Sequence, residues 1–319
     1  MAAPVTRAGG PDNIDELLTT SMENLLPGIR DNTYSSNPAL KWMNSKGRLM
    51  KRGGADLSHG IMYDGPTAGR YQRYDTLGTT PVDGLTRDTW DWFQYSVPVT
   101  VDGFTERVAN AGDPKIVDIV ETKRRQAEEE LSLLLEQDIF SASPNAKGIR
   151  SLPVIVLGTG TEGDIAAGTS TWWQSLVTAS GSYAARGRSD MVTAYNSLSI
   201  RNPAGGPEFI LSDQTSQEAY ESSLVSQVRF QDNKLADIGL KNILFKDTAW
   251  AWSPQATSGV IYFLHSNGIE FVVNTDTDFI LKPFVSPSNQ DARVAHILLA
   301  CALITGNRRK LGKLTGVTA

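Results

Sequence analysis

Cysteine is almost absent from this chain of 319 residues, which has a single one, Cys301. One cysteine cannot form a disulfide within the chain, so disulfides do not hold this fold together. Cys301 lies within the apolar run 297–304, and this position predicts a buried, inert thiol rather than a nucleophile.

Long apolar runs are also lacking. No stretch approaches the roughly 18 apolar residues that cross a bilayer, and the N-terminal residues lack the apolar centre of a signal peptide. The formal net charge of -5 disfavours a protein whose main task is to bind phosphates, because nucleic-acid affinity depends largely on cationic side chains. We therefore expect a soluble, cytosolic product without a membrane partner.

Residues suited to metal or covalent chemistry are sparse. His59, His265 and His296 stand in separate segments without a carboxylate or thiolate at ligand spacing, and no Gly-x-Ser-x-Gly motif occurs. Residues 158–163, Gly-Thr-Gly-Thr-Glu-Gly, match the spacing of a dinucleotide-binding loop. The residues after them are a poor helix opening, which favours a flexible loop and leaves a nucleotide-binding enzyme as a weak alternative. We predict no catalytic residue, no cofactor and no metal.

The first part of the chain has little regular patterning. Residues 1–45 contain one short amphipathic piece between Gly/Pro breaks and are interpreted as an arm. Residues 46–91 are rich in glycine and basic residues and contain little that would line a core. This composition predicts an extended loop that packs on something else, with a two-stranded projection around residues 70–74.

Periodicity is clear in the next part. Apolar residues alternate over 93–101, which predicts a half-buried strand with an edge or a bulge at Pro98. Apolar residues spaced by three and four predict a long helix over about 114–140, with Asp113 as its N-cap. Glu136 is expected on the polar face of that helix.

Short strands and helices alternate in the remainder, which predicts a mixed α/β module over about 150–275. Strands are expected at 152–157, 208–212, 260–264, 269–273 and 279–285, and helices at 190–198 and 214–224. Asn267-Gly268 between two strand-like runs predicts a hairpin. Residues 294–304 fit either a buried strand or a buried helix, and periodicity does not decide between them.

Two groups of residues could bind a ligand but have simpler interpretations. The tryptophans at 172, 173, 250 and 252 are interpreted as core or interface residues. The basic run 308–310 is interpreted as a solvated corner, or as an ion-pair donor to a neighbouring subunit.

The order of these segments resembles that of tailed-bacteriophage major capsid proteins with the Hong Kong 97-type fold. The local sequences that carry the resemblance are 37–43 (NPALKWM), 148–153 (GIRSLP), 209–213 (FILSD), 261–264 (IYFL), 287–292 (PSNQDA) and 306–314 (GNRRKLGKL). Together they extend the resemblance over nearly the whole chain.

The resemblance implies an α+β, Hong Kong 97-like phage capsid fold. Its expected parts are an N-terminal arm (1–45), an extended β-hairpin loop (46–91), a peripheral domain with a long spine helix (92–148 and 276–297) and an axial domain (149–275 and 298–319). The implied function is that of a non-enzymatic head protein that forms the pentamers and hexamers of an icosahedral shell. An encapsulin-like nanocompartment is the alternative with the same fold.

The resemblance also implies partners and a location. The shell would enclose double-stranded DNA without binding it specifically, and portal, scaffolding or decoration proteins are further candidate partners. The expected location is the virion, after assembly in the cytoplasm of the bacterial host.

In such shells the extended loop lies over the neighbouring subunit near its spine helix. We hypothesise that Lys51 and Arg52 face acidic residues of a neighbour's helix, and that residues 288–291 form a tip at a threefold axis. Some relatives join a loop lysine to an asparagine of the next subunit, and Lys46, Lys51 and Asn307 supply these residue types. The candidate intersubunit contacts are Lys46, Lys51, Arg52, Glu128, Glu129, Glu130, Asn289 and Gln290.

Overall fold

The structure is a computed structural model, and it describes residues 37–46, 48–51, 53–104, 119–201, 205–224 and 243–318. Most of the expected arm, the expected helix start at Asp113 and the side chain of Arg52 lie outside these residues. No helix within these ranges combines the length and the apolar character needed to cross a membrane.

Five helices and fifteen strands are assigned in the described residues. The helices are α1 (Pro38–Lys46), α2 (Ile119–Phe140), α3 (Leu152–Ile155), α4 (Arg188–Arg201) and α5 (Gln214–Ser223). The strands are β1 (Arg48–Lys51), β2 (Gly60–Met62), β3 (Leu85–Arg87), β4 (Phe93–Asp102), β5 (Thr161–Glu162), β6 (Ile165–Ala166), β7 (Leu176–Ala179), β8 (Phe209–Ser212), β9 (Ile243–Phe245), β10 (Thr248–Trp252), β11 (Val260–Leu264), β12 (Glu270–Asn274), β13 (Ile280–Leu281), β14 (Ala292–Ile304) and β15 (Gly312–Thr315). The chain divides into two compact units, of which unit 1 contains Tyr95–Leu133 and Thr277–Leu299 and unit 2 contains Ser36–Gln94, Leu134–Asp276 and Ala300–Ala319.

Unit 1 is built on the first part of β14, which pairs with β4 and with β13. Tyr95 and Val99 of β4 are buried between exposed neighbours, which confirms the strand predicted from alternation. The predicted strand at 279–285 is confirmed only at β13 and at a single bridge from Val285 to Val294. Phe279, at φ 51°, has a left-handed backbone that cannot continue a strand.

The long predicted helix is confirmed over the 22 residues of α2, which at about 1.5 Å per residue gives a rod of roughly 33 Å. Ala127, Leu131, Leu135 and Ile139 are buried and recur every fourth residue. This spacing places them on one stripe along the helix.

Unit 2 contains a six-stranded sheet in the order β7-β15-β11-β8-β10-β9. Helices α4 and α5 bury Met191, Leu198 and Tyr220 in the same core as Trp250 and Phe263 of the sheet. The predicted strand at 208–212 and the predicted helices near 190–198 and 214–224 are confirmed here.

The glycine-rich run 158–163 ends in a tight hairpin between β5 and β6. Gly163 and Asp164 lie at φ 59° and 63°, the left-handed conformations that a two-residue type I′ turn requires at both central positions. Because strand β6 follows instead of a helix N-terminus, the run does not form a dinucleotide-binding loop.

The predicted strand at 152–157 is wrong, because Leu152–Ile155 form the helical turn α3. Ser151 is the extended N-cap residue, and Pro153 lies in the first turn, where the N–H that proline lacks would have no partner. A short, wholly apolar run does not distinguish a buried strand from a buried turn of helix.

The predicted hairpin across Asn267-Gly268 is also wrong, although both strands exist. β11 pairs with β8 and β15, whereas β12 pairs with β1 and β14 of another sheet. Neither Asn267 nor Gly268 has a positive φ, so the type I′ turn is not formed. Instead, the N–H groups of Gly268 and Ile269 both donate to the carbonyl of His265, at 2.9 and 3.3 Å.

Residues 38–51, expected at the end of the arm and the start of the loop, are built into unit 2. Trp42 of α1 is buried and stacks on Phe209 with ring centroids 5.0 Å apart. Strand β1 pairs in parallel with β12, with Leu49 opposite Val272. The ambiguous run 294–304 is the strand β14, and Cys301 on it is fully buried, as predicted.

Candidate assembly surfaces

The loop expected at 46–91 contains a long exposed projection, which we define as residues 60–87. At its base β2 pairs with β3, with Gly60 opposite Arg87 and Met62 opposite Leu85. From Met62 to Asp83 every residue is exposed. The predicted two-stranded structure therefore exists at the base and not at residues 70–74, and so short a ladder without a core cannot order the whole segment.

Large apolar side chains on the projection face water. The exposed fractions are 79% for Met62, 70% for Tyr71, 92% for Tyr74, 60% for Leu77 and 70% for Leu85. Fully burying an apolar side chain of this size is favourable by about 1.5–3 kcal/mol. Apolar and aromatic residues gathered on an exposed segment are typical of a surface that binds another protein.

The base of the projection is fixed to the rest of unit 2 by aromatic and charged side chains. Tyr63 stacks on Trp172 with ring centroids 4.8 Å apart, which agrees with the predicted core or interface role of Trp172. The ring nitrogens of His59 lie 3.2 Å from Asp88 Oδ2 and 3.1 Å from Glu270 Oε2. These hydrogen bonds raise the pKa of His59 to about 10. Sequence reasoning did not find this cluster, because its members lie in three distant segments.

The candidate acidic residues lie on α2. Glu128 lies 3.7 Å from Arg124, and Glu129 lies 2.9 Å from Arg125. In each pair the arginine lies one helical turn before the glutamate. Glu130 is exposed, and so are Lys46 and Lys51. Contact of these residues with a neighbouring subunit stays a prediction.

The expected threefold tip is an exposed turn. Ser288, Asn289, Gln290 and Asp291 are exposed, and the Ser288 hydroxyl donates to Asn289 Oδ1. The positions suit an intersubunit contact, which also stays a prediction.

Arg308 was expected at a solvated corner, and this interpretation is wrong. The side chain is fully buried, and its Nε and Nη2 donate to the carbonyls of Ile155 and Leu157, each at 2.9 Å. Arg309 beside it is exposed. Arg308 therefore satisfies backbone carbonyls at the C-terminal end of α3 and just after it, instead of offering a charge to the surface.

Glu136 was expected on the polar face of α2, and this interpretation is wrong too. Its carboxylate accepts hydrogen bonds from the N–H groups of Ala39 and Leu40, at 3.2 and 2.9 Å, and from the Ser253 hydroxyl at 3.0 Å. Burial raises the pKa of Glu136 to about 7, although these donors oppose the shift. The carboxylate thus caps the first turn of α1 from another helix.

No family model and no curated protein matches the chain. Among solved structures, the cyanophage A-1(L) capsid asymmetric unit is similar with a TM-score of 0.69 and 14% identity, over 95% of this chain and 98% of that chain. The capsid of an empty GTA particle is similar with a TM-score of 0.66 and 11% identity, over 91% of this chain and 93% of that chain. The holo-SrpI encapsulin complex from Synechococcus elongatus PCC 7942 is similar with a TM-score of 0.56 and 12% identity, over 91% and 96%.

These similarities extend over nearly the full length of each chain. They confirm the predicted α+β fold of capsid proteins, which an encapsulin shares. At identities of 11–14% they establish the fold alone.

Proposed function

We propose that this protein is the major capsid subunit of a tailed bacteriophage, and that it self-assembles into an icosahedral shell around a double-stranded DNA genome. The observation that carries the proposal is the projection, whose apolar side chains face water without a core beneath them. In a chain with a shell-protein fold, a second copy of the same chain is the partner that would bury these side chains.

The subunit would form pentamers and hexamers, without catalytic activity, cofactor or metal. A net charge of -5 fits a shell that surrounds DNA without binding it specifically. Portal, scaffolding or decoration proteins would be further partners. The assembled protein would reside in the virion, after assembly in the host cytoplasm.

An encapsulin-like compartment is the second candidate, and the similarity to the SrpI encapsulin favours it. The TM-score is higher for the cyanophage capsid than for the encapsulin, 0.69 against 0.56, and this favours the phage capsid as the first candidate. A cargo enzyme that co-purifies with the particles would reverse this order.

The proposal is tested by comparing assembly of the wild type with that of the triple variant Y71S/Y74S/L77S. Negative-stain electron microscopy and light scattering should find closed shells, tubes or rings for the wild type and unassembled subunits for the variant. The unfolding temperature of the subunit should stay unchanged, because the three side chains are exposed. The matched control Q72S/T76S/T79S changes polar residues of the same segment and should assemble normally.

Two outcomes would contradict the proposal. One is a wild type that stays monomeric or dimeric under crowding and binds a small ligand tightly. The other is assembly of the triple variant at the wild-type level, which would mean that the projection is not an assembly surface and would remove the observation that carries the proposal.

A further inference from the structure

The two ends of the projection are joined by a pair of polar residues. His59 directly precedes β2, and Asp88 directly follows β3. The N–H of Asp88 donates to the His59 carbonyl at 3.2 Å, and the N–H of His59 donates to Asp88 Oδ1. The imidazole Nδ1 lies 3.2 Å from Asp88 Oδ2. Backbone and side-chain hydrogen bonds between His59 and Asp88 therefore join the two ends of the projection.

The second ring nitrogen of His59 connects this point to the sheet that contains β12. Nε2 lies 3.1 Å from an oxygen of Glu270, the first residue of β12. The charged groups that face the ring are the carboxylates of Asp88 and Glu270, and Gly306 lies against it. A neutral imidazole has one N–H to donate, whereas the protonated ring has two and satisfies both carboxylates together.

Contacts with Trp90 and Gly163 fix the position of the Asp88 side chain. Its side chain is fully buried and also accepts a hydrogen bond from Trp90 Nε1 at 2.8 Å. Gly163 packs so closely that a Cβ there would lie 2.9 Å from Asp88 Cβ. A rigid carboxylate of this kind fixes the position of the ring that it binds.

We propose that His59, Asp88 and Glu270 form a clasp that fixes the direction in which the projection extends from the rest of unit 2, and that opening the clasp impairs assembly. The second part rests on the proposed function. The first part concerns the subunit alone.

The protonation of His59 supports a clasp that is closed at neutral pH. Its pKa of about 10 in the folded chain exceeds the ordinary 6.5. A raised pKa of this kind adds stability that is complete below pH 6.5 and is lost as the pH rises towards 10.

The test uses full-length subunits kept below the concentration at which they assemble. Hydrogen exchange is compared between the wild type, H59Q, E270Q and the matched control H296Q, which changes an exposed histidine of β14. In H59Q and E270Q we expect roughly tenfold faster exchange at 57–63 and 84–90, with no change in β8 and β11, because a charged hydrogen bond is lost at the base. Unchanged exchange in both variants would overturn the clasp.

Two further measurements separate the parts of the proposal. An NMR titration should show that the His59 ring stays protonated well above pH 8, and titration near 6.5 would overturn the clasp. Light scattering should show a lower shell yield for H59Q and E270Q than for H296Q, and equal yields would overturn the link to assembly. If the wild type forms no shells at all, the proposed function fails, while exchange and titration still decide on the clasp.

Discussion

Arg308 and Arg309 are neighbours in the chain with opposite surroundings. Arg308 is buried and donates to two backbone carbonyls, whereas Arg309 is exposed. The carbonyl acceptors lie about 150 residues earlier in the chain. A basic run of this kind therefore does not reveal which of its members is structural.

The substitution R308A should lower the free energy of unfolding by about 3 kcal/mol, because it leaves a cavity and removes two charged hydrogen bonds to backbone carbonyls. The matched control R309A should change it by less than about 0.5 kcal/mol. Urea unfolding of the subunit measures both. Equal effects of the two substitutions would contradict the buried position of Arg308.

Glu136 should make the stability of the subunit depend on pH. Its pKa rises from 4.5 to about 7 in the folded chain, so between these values the unfolded chain has released a proton that the folded chain retains. The free energy of unfolding should therefore fall as the pH rises from about 4.5 to about 7, by a total on the order of 3 kcal/mol.

The variant E136Q should show a much smaller fall, since glutamine does not titrate. Urea unfolding at several pH values measures the slope, and E130Q, which changes an exposed residue of the same helix, is the control. An equal slope in E136Q and in the wild type would show that another group is responsible.

At the scale of elements, the sequence predicted the helices and strands that follow from a local pattern of apolar residues. β4 followed from strict alternation, and α2 from apolar residues at helical spacing. The supposed hairpin after β11 failed because its two strands are held by partners elsewhere in the chain. One tight turn that does join paired strands, between β9 and β10, uses Lys246-Asp247 at φ 48° and 64°, and no local signal distinguished it.

The candidate assembly surface was also predicted only in part from the sequence. The exposed projection was foreseen from its glycines and its lack of apolar residues that could line a core. The clasp at its base was not, because His59 is 29 residues from Asp88 and 211 residues from Glu270. No single-sequence pattern connects residues at such separations.

Helix α1 should be an integral part of unit 2. W42A removes a buried ring that stacks on Phe209, and it should lower the free energy of unfolding by about 3–5 kcal/mol. The control N44A changes an exposed residue of the same helix and should have little effect. Thermal unfolding measures both. A W42A subunit as stable as N44A would mean that α1 is only loosely attached.

At the scale of the whole molecule, the charged residues proposed as contacts matter through repetition. An exposed ion pair contributes only about 0–1 kcal/mol. A closed shell repeats each contact many times by symmetry, so a weak pair still favours one register of neighbouring subunits over others. Salt should weaken such pairs, because exposed charges are screened at physiological ionic strength.

The proposed pairing of Lys51 and Arg52 with a neighbour's Glu129 and Glu130 predicts that charge reversal on either side lowers the yield of shells. E129K/E130K should do so without unfolding the subunit, because losing the Glu129–Arg125 pair within α2 costs only about 0.5 kcal/mol. K51E/R52E should act in the same direction. Sedimentation of assembled particles measures the yield.

Combining the two reversals restores opposite charges across the contact, so the quadruple variant should recover part of the yield that each pair of substitutions loses. The control E218K reverses an exposed glutamate on α5 and should assemble like the wild type. The quadruple variant has the same net charge as the wild type, so a second control combines E129K/E130K with K147E/R201E, which restores the net charge at exposed residues elsewhere. Recovery in the quadruple variant but not in this control would show that the two sets of residues face each other between subunits. Normal yield in E129K/E130K, or no recovery in the quadruple variant, would show that neighbouring subunits meet through other residues.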